Sequence, residues 1–190
     1  MESYEDRLLK HYTRIFSFTL TPMPVKSPQM KNAGPIVLSQ LMSPTSVNLN
    51  LKSIDRDGVL EELVNQVAAI AKQPEARQTL LRALHEREQL HSTGIGDGVA
   101  LPHARNALVG LVDRPVIVFG RSTQGVSFGA IDGAPSKLFF LLVAPTVTEH
   151  LSMLARLSRL LREPRLRQEL LATDNAKKAL LLIRDAEAKL

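Results

Sequence analysis

From residue 36 onward the apolar positions fall into blocks whose spacing alternates between two residues and three to four. Val47, Leu49 and Leu51 alternate with Asn48 and Asn50, the period of a half-buried strand. The spacing then lengthens. Leu60, Leu63, Val64, Val67 and Ala71 make a helical stripe behind Asp57, which stands where an N-cap belongs. A second helix is predicted from Pro74, a residue suited to a first helical position, to about Leu90. The turn-rich run Ser92 to Gly98 leads into a short extended segment, Val99-Ala100-Leu101-Pro102-His103. Pro115 to Phe119 and Lys137 to Val143 are short, β-branched or aromatic runs bounded by Gly and Pro, and read as strands. Thr146-Val147-Thr148-Glu149 has capping-box spacing, and Leu151, Leu154, Ser158 and Leu161 behind it predict one buried helical face. Pro164 and Asp174 mark two further helix starts. The order is strand, two helices, three strands, three helices, and helices available on both sides of a sheet make a layered α/β domain the natural architecture. No internal repeat is present.

Residues 1–37 are different. Pro22, Pro24, Pro28 and Pro35, with Gly34 and several Ser, Lys and Gln between them, suit an extended linker. Ahead of them, Leu8, Leu9, Tyr12, Ile15 and Phe16 have helix-like spacing. The chain of 190 residues is therefore expected to hold an N-terminal extension and one domain over 38–190. Composition adds exclusions. With no cysteine there are no disulfides and no thiolate metal sites. No apolar run approaches the roughly 20 residues of a membrane span, and the N-terminus lacks the basic-then-apolar order of a signal peptide. A soluble cytoplasmic protein without membrane insertion is expected. The formal charge of +5 invites a nucleic-acid reading. Yet Arg156, Arg159, Arg162, Arg165 and Arg167 alternate with Glu163 and Glu169 as on a solvated helix face, and no basic–aromatic stripe accompanies them. Nucleic acid is not an expected partner.

Of the five histidines, His85 and His91 are six apart on a predicted helix and so lie on different faces. With no HExxH, no HxH and no cysteine, no metal site is expected. Gly-x-Ser-x-Gly is absent too. The cluster Gly94, Gly96, Gly98 allows positive φ and close backbone approach, so it is able to aim N–H groups at an anion. It leads from a helix through glycines into a strand, the reverse of a P-loop or a dinucleotide fingerprint. Pro102 fixes its own φ and pushes Leu101 toward extended geometry, so His103 is presented from a stiff segment at a strand's end. His11, His85 and His91 read as ordinary surface residues.

Arg87-Glu88-Gln89-Leu90, followed by Ser92-Thr93-Gly94-Ile95-Gly96-Asp97-Gly98-Val99-Ala100-Leu101-Pro102-His103-Ala104, resembles the active-site stretch of the enzyme IIA proteins of the bacterial phosphotransferase system. The branch is the mannitol/fructose type, which includes the nitrogen-regulatory enzyme IIA. The similarity continues through Phe128-Gly129-Ala130-Ile131-Asp132, Leu142-Val143-Ala144-Pro145 and Glu149-His150-Leu151, and covers roughly residues 38–188. It implies a three-layer α/β/α sandwich with a small mixed sheet. It also implies that His103 accepts a phosphoryl group at Nε2 from an HPr-type phosphohistidine carrier, with His150 beside it and Arg87 helping to hold the group. No cofactor is implied.

The residue types suit that chemistry. Phosphoryl transfer needs an in-line nucleophile and stabilised equatorial oxygens. A neutral imidazole accepts, a second imidazole donates a hydrogen bond, and a guanidinium offers a fork matched to phosphate. Thr93 and the amides of Gly94 and Gly96 are candidate neutral donors to the phosphoryl group. Ile95, Val99 and Leu101 are expected to form an apolar docking patch around His103. Two readings share the chemistry: a regulator acting on kinases or transporters through its phosphorylation state, and a sugar-pathway subunit passing phosphate to a separate enzyme IIB. The chain carries no IIB cysteine and no membrane domain, which suits a separate protein. Phe128 to Gly133 looks closer to the nitrogen-regulatory branch. A non-catalytic anion-sensing module is the more distant alternative, against which the joint presence of His103, His150 and Arg87 argues.

Overall fold

The computed structural model describes residues 36–105 and 107–190. The helical spacing expected at Leu8 to Phe16, the proline-rich linker and His11 lie outside them. The described part builds one five-stranded mixed sheet from β1 (Val47–Asn48), β2 (Gly94–Gly96), β3 (Val99–Ala100), β4 (Val116–Val126) and β5 (Ser136–Val143). Five α-helices accompany it: α1 (Arg56–Asn65), α2 (Pro74–Leu90), α3 (Val147–Leu160), α4 (Pro164–Ala172) and α5 (Ala176–Glu187). In space the strands run β1-β4-β5-β3-β2, with β4–β5 and β3–β2 antiparallel, β1–β4 and β3–β5 parallel. The α/β expectation holds with one more strand than counted. Gly94–Gly96, read as part of a turn, pairs back on β3 as a tight hairpin. Asp97 and Gly98 sit at its tip with φ of 54° and 74°, the positive values that a two-residue hairpin turn of the I′ type requires.

Alternation along β5 makes the layers. Leu138, Phe140 and Leu142 face one core with Met153, Leu157 and Leu160 of α3 and residues of α4 and α5. Phe139, Leu141 and Val143 face the other, with Leu60 and Leu63 of α1 and Leu80 and Leu84 of α2. A strand buried on both faces reads as a continuous apolar run, which is why Lys137 to Val143 has no polar alternation. Across β4 and β5, Phe119 stacks on Phe140 with ring centroids 4.6 Å apart, and Phe128 meets Phe139 edge-on at 5.4 Å in the opposite layer.

Local signals placed most boundaries. Pro74 and Pro164 open α2 and α4, and Thr146 caps α3 by accepting the Glu149 amide. Several readings shift: β4 runs on past Phe119 to Val126, and α1 ends at Asn65, short of Val67 and Ala71. The N-cap of α1 is Asp55, whose carboxylate accepts the Gly58 amide at 2.8 Å, while Asp57 falls in the first turn, where a negative charge also suits the helix dipole. The strand expected over Val47 to Leu51 keeps a regular ladder only at Val47–Asn48; beyond it the Arg121 side chain takes the Leu49 carbonyl (3.0 Å) and the Leu51 amide donates to the Arg121 carbonyl at 2.9 Å. In α3 the buried face is centred on His150, Met153, Leu157 and Leu160; of the residues expected there, Leu161 is buried and Leu154 partly so, while Leu151 is 59% exposed. Leucines occur on both sides of this helix, so periodicity alone did not single out the face that docks.

The stacked phenylalanines give a direct test. Phe140→Ala empties a fully buried site and is expected to cost about 3–5 kcal/mol. Ile54→Ala, at a position 77% exposed, is expected to change stability by less than about 0.5 kcal/mol. Urea unfolding followed by circular dichroism reads both, and comparable losses for the two variants would contradict this layering.

Candidate functional site

His103 stands where the β3 segment runs out. Beyond Ala100 the chain stays alongside β5: the Leu142 amide donates to the Pro102 carbonyl at 2.9 Å, and His103 itself bridges to Leu142 in parallel register. The imidazole is fixed at both nitrogens. Nδ1 lies 2.7 Å from the Leu101 carbonyl oxygen, and a carbonyl only accepts, so Nδ1 carries the proton. Nε2 is then the nitrogen with the lone pair, and the Arg87 Nε–H donates to it at 3.3 Å.

Two helices from opposite layers bring the neighbours. Arg87 lies in the last turn of α2, where a cation is favoured by the helix dipole, and a second donor, Nη1, is held by the His91 carbonyl at 2.6 Å. His150 is buried in the first turn of α3, and its ring centroid is 5.3 Å from that of His103. Burial lowers the pKa of His103 to about 4, with Arg87 and His150 adding to the effect against the Leu101 hydrogen bond. His150 is lowered too, by burial first and then by Arg87. Two neutral imidazoles beside a permanent cation thus meet at the end of the sheet. The arrangement offers a nucleophilic nitrogen, a guanidinium suited to an oxyanion, and a second ring for hydrogen bonding.

The structure brings His103, His150 and Arg87 together and leaves the other three candidates out. Both the amide and the hydroxyl of buried Thr93 donate to Glu88, so neither is free for a phosphoryl oxygen. The Gly94 amide donates to Ser92 Oγ at 2.9 Å, and Gly96 sits in the hairpin ladder opposite Val99. Close packing explains Gly94: a Cβ there would come within 2.8 Å of the Ala130 Cα. The glycines build a hairpin that supports the strand of His103 rather than a cradle for an anion. The expected docking patch also changes. Val99 and Leu101 point into the core beneath α3, leaving Ile95 exposed, while Val147 and Leu151 on either side of His150 are each 59% exposed.

Sequence reasoning missed Glu88. It occupies the same buried face of α2 as Leu80 and Leu84, one turn further on. A charge at the next position of an apolar i, i+4 stripe was the available signal. Asp132 was quoted without a role. Its carboxylate accepts the Asp97 amide (2.8 Å) and the Ala134 amide (3.0 Å), which pins the hairpin tip and lowers its pKa. Among the described residues no helix is long and apolar enough to cross a membrane.

The sequence profile described as "Phosphoenolpyruvate-dependent sugar phosphotransferase system, EIIA 2" matches residues 40–186. The chain is 36% identical over 140 residues to the fructose-specific EIIABC component of Bacillus subtilis, a match covering 73% of this chain but only 21% of that protein. It is 34% identical to the fructose-specific EIIA component of Haloferax volcanii, over 68% of this chain and 82% of the relative. It is 32% identical to the nitrogen regulatory protein of Pseudomonas aeruginosa, over 80% of this chain and 97% of the relative. The crystal structure of nitrogen regulatory protein IIA-Ntr from Neisseria meningitidis aligns with a TM-score of 0.66 at 27% identity, covering 76% of this chain and 97% of that one.

The lowered pKa of His103 fixes the sign of a pH effect. On acidification from its ordinary 6.5 toward about 4, the unfolded chain takes up the proton first, so stability falls across that window and is untouched by His103 above it. His103→Gln is expected to lose less stability than the parent between about pH 7.5 and about pH 5 in urea unfolding. An equal loss in both proteins would show that His103 is not held neutral.

Proposed function

The chain belongs to the EIIA 2 family of the phosphoenolpyruvate-dependent sugar phosphotransferase system, and on that premise we propose that His103 Nε2 is its phosphoryl acceptor. The observation that carries the reading is the fixed tautomer: Nδ1 donates to Leu101, so the lone pair lies on Nε2, between Arg87 and His150. The donor is an HPr-type phosphohistidine protein. The Nε2 lone pair forms the new N–P bond while the electrons of the old N–P bond return to the donor's imidazole. The proton stays on Nδ1, donated to the Leu101 carbonyl, as positive charge develops on the ring. Arg87 releases Nε2 and takes the phosphoryl oxygens, where a guanidinium fork is matched to the charge that builds up. His150, neutral at physiological pH, supplies a further hydrogen bond. The phosphocarrier domain spans residues 38–190, with 1–37 as an extension.

For the downstream step we favour regulation, in which the phosphorylation state of His103 decides whether a kinase or transporter binds. The match over nearly the full length of a nitrogen regulatory protein supports this. The similarity to a fructose-specific EIIA component supports the second reading, transfer from His103 to an enzyme IIB.

With phosphoenolpyruvate, enzyme I and an HPr-type carrier, one acid-labile phosphate is expected on the protein by intact mass and none on His103→Ala. No phosphate on the parent, or full phosphorylation of the alanine variant, overturns the assignment. Arg87→Ala is expected to slow phosphorylation by about a hundredfold, the loss typical of one charge-stabilising donor. His150→Ala is expected to keep acceptance and slow onward transfer about tenfold, the worth of one hydrogen bond; unchanged rates in both directions would remove it from the mechanism. Pull-downs with His103→Ala and His103→Asp separate the branches, kinases or transporters marking the regulator and an enzyme IIB the sugar subunit.

A further inference from the structure

Glu88 is buried, 5% exposed, and among the described residues it has no cation within ion-pair distance. A carboxylate kept out of water without a counter-charge is costly and is tolerated only where its hydrogen bonds are well made. Its two oxygens accept the amide and the hydroxyl of one residue, Thr93, the amide at 3.0 Å. That residue is five positions on, across the end of α2, so the contact closes the turn leading into the β2–β3 hairpin. From Thr93 the hydrogen bonding continues toward the site. The Thr93 carbonyl accepts the Leu101 amide at 3.0 Å, and the Leu101 carbonyl accepts Nδ1 of His103 at 2.7 Å. The other end of the imidazole meets Arg87, the immediate neighbour of Glu88 in the same helical turn.

We propose that Glu88 is a positioning residue that sets both ends of the His103 imidazole, through Thr93 and Leu101 at Nδ1 and through the last turn of α2 at Nε2. The Leu101 N–H is held by the Thr93 carbonyl, and the Thr93 amide and hydroxyl are held by Glu88. With that N–H held and Pro102 restricting Leu101 to extended geometry, the Leu101 carbonyl in the next peptide unit faces Nδ1 without having to be ordered as the phosphoryl group arrives. A histidine side chain left to water favours the proton on Nε2, the tautomer that cannot attack. The carboxylate at Glu88 opposes that preference from a distance of two peptide segments. Preorganisation of this kind affects rate more than affinity, because a small misplacement of the nucleophile is magnified in the barrier.

The test compares Glu88→Gln, Thr93→Val and Thr93→Ser in the full chain. The kinetic part rests on the acceptor reading of His103; the spectroscopic part does not. In 15N NMR of the imidazole, the parent is expected to show a protonated Nδ1. Glu88→Gln and Thr93→Val are expected to move signal toward a protonated Nε2 and to slow phosphorylation by the HPr-type carrier about ten- to a hundredfold. Thr93→Ser keeps both donors and is expected to recover most of what Thr93→Val loses. If Glu88→Gln does not fold, the Thr93 pair decides the question alone. Folded variants with the parent tautomer and rates within about twofold overturn the proposal. A tautomer change in the variants, alongside a parent protein that takes no phosphate, would instead overturn the acceptor reading and leave the positioning role standing.

Discussion

One short hydrogen bond, from His103 Nδ1 to the carbonyl of Leu101 two residues before it, decides which nitrogen faces Arg87. Local as it is in sequence, it holds only because Leu101 is itself immobilised. Its amide is bound by Thr93, its side chain is buried under α3, and the peptide after it is bound by Leu142 of β5. Remove any of those and the carbonyl is free to turn away. The orientation of Nε2 therefore depends on how firmly the end of a strand is held, and the glycine hairpin, Glu88 and Asp132 all tie down that segment. The anion-binding look of Gly94, Gly96 and Gly98 is a by-product of a chain that must fold back tightly beside Ala130.

The sheet accounts for the rest of the cluster. Because β5 buries both faces, helices cover both sides, and the two helices nearest the end of β3 come from opposite layers. The C-terminal turn of α2 delivers a cation, and the N-terminal turn of α3 delivers a histidine whose pKa is lowered by burial and then by Arg87. The signs are well assigned. A cation at an N-terminus or a protonated histidine there would oppose the dipole, whereas Arg87 and neutral His150 each sit where their charge state is favoured. His103 between them stays unprotonated down to acid pH and still has a positive group beside it.

Much of this was legible along the chain. Proline at a first helical position, the Thr146–Glu149 cap, and the uninterrupted run from Lys137 to Val143 are local signals, and α2, α3, α4 and β5 begin close to where they pointed. Arg87, His103 and His150 were also identifiable, though spacing alone left His103 a well-presented histidine and only the resemblance of the surrounding stretch joined it to the other two. Elsewhere several choices were locally equivalent. Asp55 and Asp57 both suit the start of α1, and the leucines of α3 permit either face to dock. Thr93, Gly94 and Gly96 have the composition of a phosphate loop and of a tight hairpin alike.

Sequence by itself determined the element types, the layered α/β class and the kind of residue offered at each end, because these follow from periodicity, caps and turns within a few residues. Tertiary structure decided which of those residues converge. It used the face of α3 that turns His150 inward, the burial that keeps two imidazoles neutral, and the commitment of Thr93 to Glu88 rather than to a ligand. Each is a pairing between segments that the fold brings side by side, and the strength of such a pairing depends on what else excludes water around it.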